Sequence, residues 1–229
     1  MSILAKTSIA IYCLLLFSSC QSVYFKTPND LRNLNGAVYL TNGKTVEGRI
    51  IVNAKNLFGG KVKVYEEGDR KPMQFSVHDV KGYSVRGSYY ALKEIRTSNP
   101  LQFGKNHSFL KRLSPEQSLM HLYEGLEEST SKNSDGSTRT KFQTQYYLEF
   151  PGEKGDAVWA LNSSRFVPNF DEKMSRLVND CPTLARKIAA KENGYFYAQV
   201  TVFKEKRADV LMNIIEDYNS CKSDAGTNE

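Results

Sequence analysis

Period-two alternation, punctuated by turn chemistry, governs what the first half of this chain can become. Ala37-Val38-Tyr39-Leu40-Thr41 and Thr45–Val52 flank Asn42-Gly43, a dipeptide that accepts the positive φ angles of a tight hairpin turn. With Asn42 and Gly43 as a two-residue loop, Tyr39 opposes Val46 and Ala37 opposes Gly48. Ala37, Tyr39, Val46, Ile50 and Val52 then share one face. Val62 and Val64 alternate with Lys61 and Lys63 in the next strand, and Met73, Phe75 and Val77 alternate with Gln74 and Ser76 in the one after. Gly59-Gly60 and Glu67-Gly68-Asp69 supply the turns between them. A further hairpin centred on Gly87-Ser88 pairs Val85 with Tyr90, Tyr83 with Leu92 and Lys81 with Glu94. Each such pair contributes roughly 0.2–1 kcal/mol. Residues 36–98 are expected to form an N-terminal β module.

Residues 107–128 admit two readings. Ser114-Pro115-Glu116-Gln117 matches a helix-capping box with proline at the first helical position. Leu119, Leu122, Tyr123 and Leu126 follow it at helical spacing. Alternatively, the same four residues make a type I turn with Pro115 in second place, joining strands His107–Leu113 and Leu119–Glu127. Lys141–Phe150 is strand-like, and Lys132–Ser137 is a turn-rich loop suited to a long hairpin, so the strand reading is adopted. Ala157–Leu161 continues a β-meander over residues 99–162.

Residues 163–222 read as a helical section. Phe170, Met174 and Leu177 share one face, and Pro182 opens a second helix striped by Leu184, Ala185, Ile188 and Ala189. Gly194 stands where its C-terminal cap belongs. Tyr195–Phe203 is strand-like or an extended crossing, and Val210, Leu211, Ile214, Ile215 and Tyr218 mark a last amphipathic helix. Residues 223–229 are a polar tail. The expected fold class is α+β: an antiparallel β-rich body of hairpins and meander, with a C-terminal helical section.

The first twenty residues, MSILAKTSIAIYCLLLFSSC, bear on where such a body works. Lys6 is their only charge, Ile9–Phe17 is unbroken apolar sequence, and Ser18-Ser19-Cys20 closes it. The run is too short for a membrane span of about 20 residues. A bulky Phe17 three residues before the cut suits lipoprotein processing better than ordinary signal cleavage, although a plain secretory peptide that happens to end in cysteine remains the alternative. The expectation is a signal peptide over 1–19, acylation of Cys20 with palmitate among its chains, and a tether over 20–35. Gln21 after the cysteine points to the outer membrane rather than retention in the inner one. The absence of an acidic cluster in Gln21–Lys26 points to its periplasmic face.

Net charge is +6, a mild excess that favours anionic neighbours such as lipid headgroups or acidic glycans. An exported lipoprotein seldom meets nucleic acid, so none is expected as a partner. The expected partners are the bilayer, through acylated Cys20, and another envelope protein.

Four cysteines occur. Cys13 leaves with the signal and Cys20 carries lipid, which leaves Cys181 and Cys221 as an even pair in an oxidising compartment. They are expected to bond, Cys181 at the start of the Pro182 helix and Cys221 just past the end of the last one.

Two stretches carry a resemblance. Asp79-Val80-Lys81-Gly82-Tyr83 before Tyr89-Tyr90, and Asp180-Cys181-Pro182-Thr183-Leu184 with Lys187-Ile188, Tyr218-Asn219 and Cys221, resemble a group of uncharacterised envelope proteins and lipoproteins of the Bacteroidota. The resemblance covers roughly residues 36–221. It implies a β-rich body with a helical C-terminal section, favours strand for Leu119–Glu127, and carries no catalytic residues.

The chemistry-bearing residues support no enzyme. His78, His107 and His121 lack metal-ligand spacing, so neither metal nor cofactor is expected. Ser76, His78 and Asp79 evoke a hydrolase triad, but no nucleophile elbow accompanies them. Glu127-Glu128 reads as a solvated hairpin end, and Lys61, Lys63, Arg70 and Lys71 as charge protecting an exposed edge. Tyr146-Tyr147 and Tyr195-Phe196-Tyr197 read at strand spacing as half core and half surface, with the lining of a glycan groove as the alternative. The leading expectation is a non-enzymatic structural or protein-interaction module. A lipoprotein holding a small apolar or glycan ligand in its aromatic β body is the alternative, and a cell-wall hydrolase comes third.

Overall fold

The computed structural model describes residues 23–54, 60–96, 106–153, 156–198 and 205–226. Among them the chain is α+β, as the patterning implies. The strands are β1 (Tyr24–Thr27), β2 (Asp30–Leu40), β3 (Thr45–Asn53), β4 (Lys61–Tyr65), β5 (Met73–Ser76), β6 (Val80–Val85), β7 (Ser88–Arg96), β8 (Asn106–Arg112), β9 (His121–Lys132), β10 (Thr138–Glu149) and β11 (Ala157–Ala160). Three helices follow: α1 (Phe170–Leu177), α2 (Pro182–Ala189) and α3 (Glu205–Gly226). Folded structure begins earlier than the expected tether allows, because Tyr24–Thr27 already pairs with the first residues of β2.

Both N-terminal hairpins form, in registers other than those expected. At the first, Tyr39 faces Thr45 and Val38 faces Val46. The loop holds three residues, Thr41-Asn42-Gly43, with Gly43 at φ +84° and the Leu40 amide donating to the Lys44 carbonyl at 2.8 Å. A left-handed third residue of this kind adds one residue to the turn and shifts the pairing by one. Val38 thereby joins Leu34, Ile50 and Val52 in the core, while Tyr39 turns to the opposite face. At the second hairpin, Arg86 (φ +50°) and Gly87 (φ +73°) form the loop. Val85 faces Ser88 and Tyr83 faces Tyr90. This is a two-residue shift, so every side chain keeps its expected face. The rings of Tyr83 and Tyr90 stack at 4.9 Å.

Leu119–Glu127 is not helical. Ser114–Ser118 is a turn closed by the Ser118 amide on the Pro115 carbonyl, which puts Pro115 first rather than second, and β9 follows. Tertiary pairing overrides the helical spacing, for β9 matches β10 over twelve consecutive pairs.

The ladder order is β11-β10-β9-β8-β7-β6-β2-β3-β4-β5, with an additional parallel pair between β11 and β7. That pair joins Ala157, Val158 and Trp159 to Glu94, Ile95 and Arg96. It closes β7 through β11 into a ring of five strands. β7 splits one edge between two partners, giving Ser88–Ala91 to β6 and Glu94–Arg96 to β11. Three cores result. One underlies the β2–β6 sheet around Val38, Ile50, Val62, Tyr83 and Phe109. A second fills the ring with Ala91, Leu110, Tyr123, Tyr147, Val158 and Ala160. The third lies between the outer face of the ring (Leu122, Leu148, Phe150) and the helices (Phe170, Met174, Ile188, Leu211, Ile215). Alternation along β9 and β10 sends neighbouring residues to different cores.

Past Gly125 and Gln145, among the described residues, β9 and β10 pair only with each other. The outer half of this hairpin is an exposed arm around the Asn133–Ser137 loop. α2 ends in a left-handed Lys191 (φ +55°), with Glu192 N–H on the Lys187 carbonyl and Lys191 N–H on that of Ile188. This Schellman arrangement stops the helix three residues before the Gly194 expected to do so.

Candidate functional site

The expected disulfide is present. Cys181 and Cys221 are bonded with Cα atoms 6.2 Å apart. Cys181 is fully buried at the start of α2, and Cys221 lies within α3, which runs about two turns past Tyr218, the last residue of the expected stripe. Two polar clamps support the bond. Asp180 accepts from Tyr218 Oη at 2.9 Å and pairs with Lys222 at 2.7 Å. Partial burial pushes the Asp180 carboxyl up, but the hydrogen bonds from Lys222 and Tyr218 outweigh it and hold it below the ordinary aspartate value. Tyr218 is pushed up to about 12, by burial first and Asp180 second. Farther along, Asp217 accepts from Lys187 and from Tyr195 Oη, both at 2.7 Å. Cys20 lies outside the described residues.

The ring interior carries a polar cluster that sequence spacing does not reveal. Lys93, almost fully buried, donates to Glu149 at 2.8 Å and stands 3.5 Å from Asp156. Tyr123 Oη donates to the second Glu149 oxygen at 2.6 Å. Burial, then the Glu149 charge, raises the Tyr123 phenol far above its ordinary value. Beside them, Ser114 Oγ and His121 Nδ1 lie 3.0 Å apart. Burial lowers the His121 pKa and favours the neutral ring. A serine–histidine pair invites a hydrolytic reading. Ser114 is itself buried, however, and its Oγ accepts the Leu122 amide at 3.1 Å, so it holds the β8–β9 turn. Ser76 Oγ accepts the amide of His78, which makes that serine a cap of the Val77–Asp79 3-10 turn. The rings of His78 and His107 meet edge to face at 5.8 Å. Among the described residues no three His, Cys, Asp or Glu side chains gather at metal-binding geometry.

An open cleft of about 1050 Å³ lies on the outer face of β2, β3, β4 and β6. The face is set by the one-residue register shift, which turns Tyr39 outward beside Glu47 and Arg49. Arg49 stacks on Tyr65 at 5.0 Å, and Tyr39 meets Tyr89 edge to face at 5.6 Å. Arg112 covers the far side of Tyr89 at 4.6 Å. Tyr39, Tyr65 and Arg49 thus line the cleft together with the carboxylates of Glu47, Glu66, Glu67 and Asp69. The aromatic runs divide between core and surface, as their strand spacing implies, and do not form one groove. Tyr147 fills the ring, whereas Tyr146 and Tyr197 line a crevice of about 230 Å³ with Arg207, below the few hundred Å³ of ordinary ligand pockets. Among the described residues no helix is long and apolar enough to cross a membrane.

No family model, curated protein or solved structure matches this chain.

Proposed function

We propose that this chain is an envelope lipoprotein, anchored through acylated Cys20 to the periplasmic face of the outer membrane, whose β-rich body is a non-enzymatic interaction module for another envelope protein. The observation that carries the reading is the pairing of an exported-type leader, Ile9–Phe17 closed by Ser18-Ser19-Cys20, with the Cys181–Cys221 bond. Disulfides persist in oxidising compartments, so both ends of the chain favour the same side of a membrane. The cleft supports the interaction role. It is open, polar at its rim and lined by Tyr39, Tyr65 and Arg49, residue types that anchor protein contacts.

The ring interior is filled by Leu110, Tyr123 and Tyr147, which weighs against an enclosed apolar ligand there. The test is metabolic labelling with a fatty-acid analogue, followed by crosslinking in the native membrane. Label on the native chain but not on Cys20→Ser, together with a recurrent protein adduct lost in Tyr39→Ser/Tyr65→Ser, is expected. An unlabelled native chain, or crosslinks to lipid alone, overturns the reading.

A further inference from the structure

We propose that the outer face of β1 to β4, at the end of the body next to the N-terminus, is a contact surface for anionic phospholipid headgroups. Four large apolar side chains are prominently exposed among the described residues, and three of them gather here: Val23 (58%), Tyr24 (40%) and Phe142 (44%). Arg32 pairs across the strands with Tyr24 and lies 5.9 Å from its ring. Lys26 lies 5.4 Å from the Phe142 ring and pairs with Glu128 at 3.0 Å, which draws the base of the β9–β10 arm against β1. On the neighbouring strands Arg32 lines a hollow of about 330 Å³ with Ile51, Asn53, Lys61 and Lys63. No carboxylate lines that hollow, and among the described residues none pairs with Arg32, Lys61 or Lys63. Three uncompensated cations on one strip, beside aromatic and aliphatic side chains at the margin, are the composition that headgroup contact selects. Phosphates meet the cations while Tyr and Phe settle at the interface.

The position agrees with the chemistry. Val23 is three positions after Cys20, a reach of at most about 11 Å, so a lipid-anchored body has this end against the bilayer. That positional argument rests on the acylation of Cys20; the charge and exposure arguments do not. Lys61 and Lys63 thus become a surface that recognises lipid, where edge protection was the expected role.

The test uses a chain starting at Gln21, which lacks the acylated cysteine but keeps every residue of the three cores, all between Leu31 and Tyr218. Flotation with 3:1 phosphatidylcholine:phosphatidylglycerol vesicles in low salt is expected to carry it, and pure phosphatidylcholine vesicles are not. Arg32→Ser/Lys61→Ser/Lys63→Ser should weaken association on the order of a hundredfold. Lys44→Ser/Arg70→Ser/Lys71→Ser removes the same charge at the opposite end of β3 and β4 and should change it by no more than a few fold. Circular dichroism of both variants checks that they fold. No flotation with anionic vesicles, equal losses in the two triple variants, or release by inorganic phosphate at the same phosphate concentration overturns the proposal. Acyl labelling of the full chain decides the anchor separately, so either reading can fail while the other stands.

Discussion

Lys93 and Glu149, fifty-six residues apart in sequence, meet at 2.8 Å inside the ring of five strands. Glu149 also accepts from Tyr123, so the lysine neutralises a carboxylate that has already lost much of its water. Lys93→Ala strands that charge and should cost about 3 kcal/mol in urea unfolding. Lys93→Met combined with Glu149→Gln removes both charges and leaves an amide oxygen for Tyr123. The double variant should therefore recover most of the loss, and a double variant as weak as Lys93→Ala would mean the pair matters only for packing.

The Cys181–Cys221 bond closes a separation of 40 residues and should be worth about 4 kcal/mol in the chain-entropy picture. Changing both cysteines to alanine should lower the denaturation midpoint accordingly, with the helices the first part to lose protection in hydrogen exchange. Peptide mapping without reductant should recover the linked pair. Two titratable thiols in the unfolded, unreduced chain would contradict it.

His121 gives the fold a dependence on mild acid. Burial holds its folded pKa below the ordinary 6.5, so between those two values the unfolded chain binds more protons than the folded one. Stability then falls as the pH drops through 6.5 and levels off once the folded pKa is passed. His121→Gln should flatten that part of the profile. Thermal melts from pH 7.5 to 5 decide the matter.

Gly36 pairs with Val85 where β2 runs close against β6. A methyl group there would run into the Ser84 carbonyl and the side chains of Val85 and Ile50. Because one obstacle is backbone, Gly36→Ala cannot be relieved by a rotamer change and should cost about 3 kcal/mol. Gly136→Ala, at φ +81° with nothing near it, should cost about 1 kcal/mol from backbone strain alone. Equal melting shifts for the two would refute the close-approach argument.

The arm beyond Gly125 adds little to stability, since an isolated pair of strands is marginal in water. Replacing residues 130–140 by Asn-Gly keeps the Lys26 contacts to Glu128 and Phe142 and should change stability by less than about 1 kcal/mol. A larger loss on thermal unfolding would show that the arm supports the body.

The disulfide was legible because the expected signal and lipid attachment account for Cys13 and Cys20 and leave Cys181 and Cys221 as an even pair. The strands were legible because Val62, Val64, Phe75 and the residues around them alternate cleanly. Register was not, because whether Asn42-Gly43 makes a two- or three-residue loop depends on the left-handed Gly43 and its bonds to Leu40, which composition does not encode. The error moved Tyr39 to the wrong face, and with it the cleft. Ser114 with His121, and Lys93 with Glu149, were invisible for a different reason. The first pair depends on the conformation of the β8–β9 turn, seven residues across, and the second on a ring closure that brings together residues 56 apart, whereas motif spacing reports neither. Gly194 misled because Lys191 took the strained cap position that glycine usually fills.

The parallel ladder between β7 and β11 imposes a timetable on a chain that emerges from its N-terminus. Residues up to Arg96 can complete the first sheet early, but the ring cannot shut until Ala157–Trp159 arrive some sixty residues later. Even then Leu122 and Leu148 face outward until the helices cover them. For that interval the newly made polypeptide presents a greasy flank that nothing in its finished half can shield. The helices and their crosslink are therefore a lid fitted last, and a molecule stopped short of them would be the form most prone to clump.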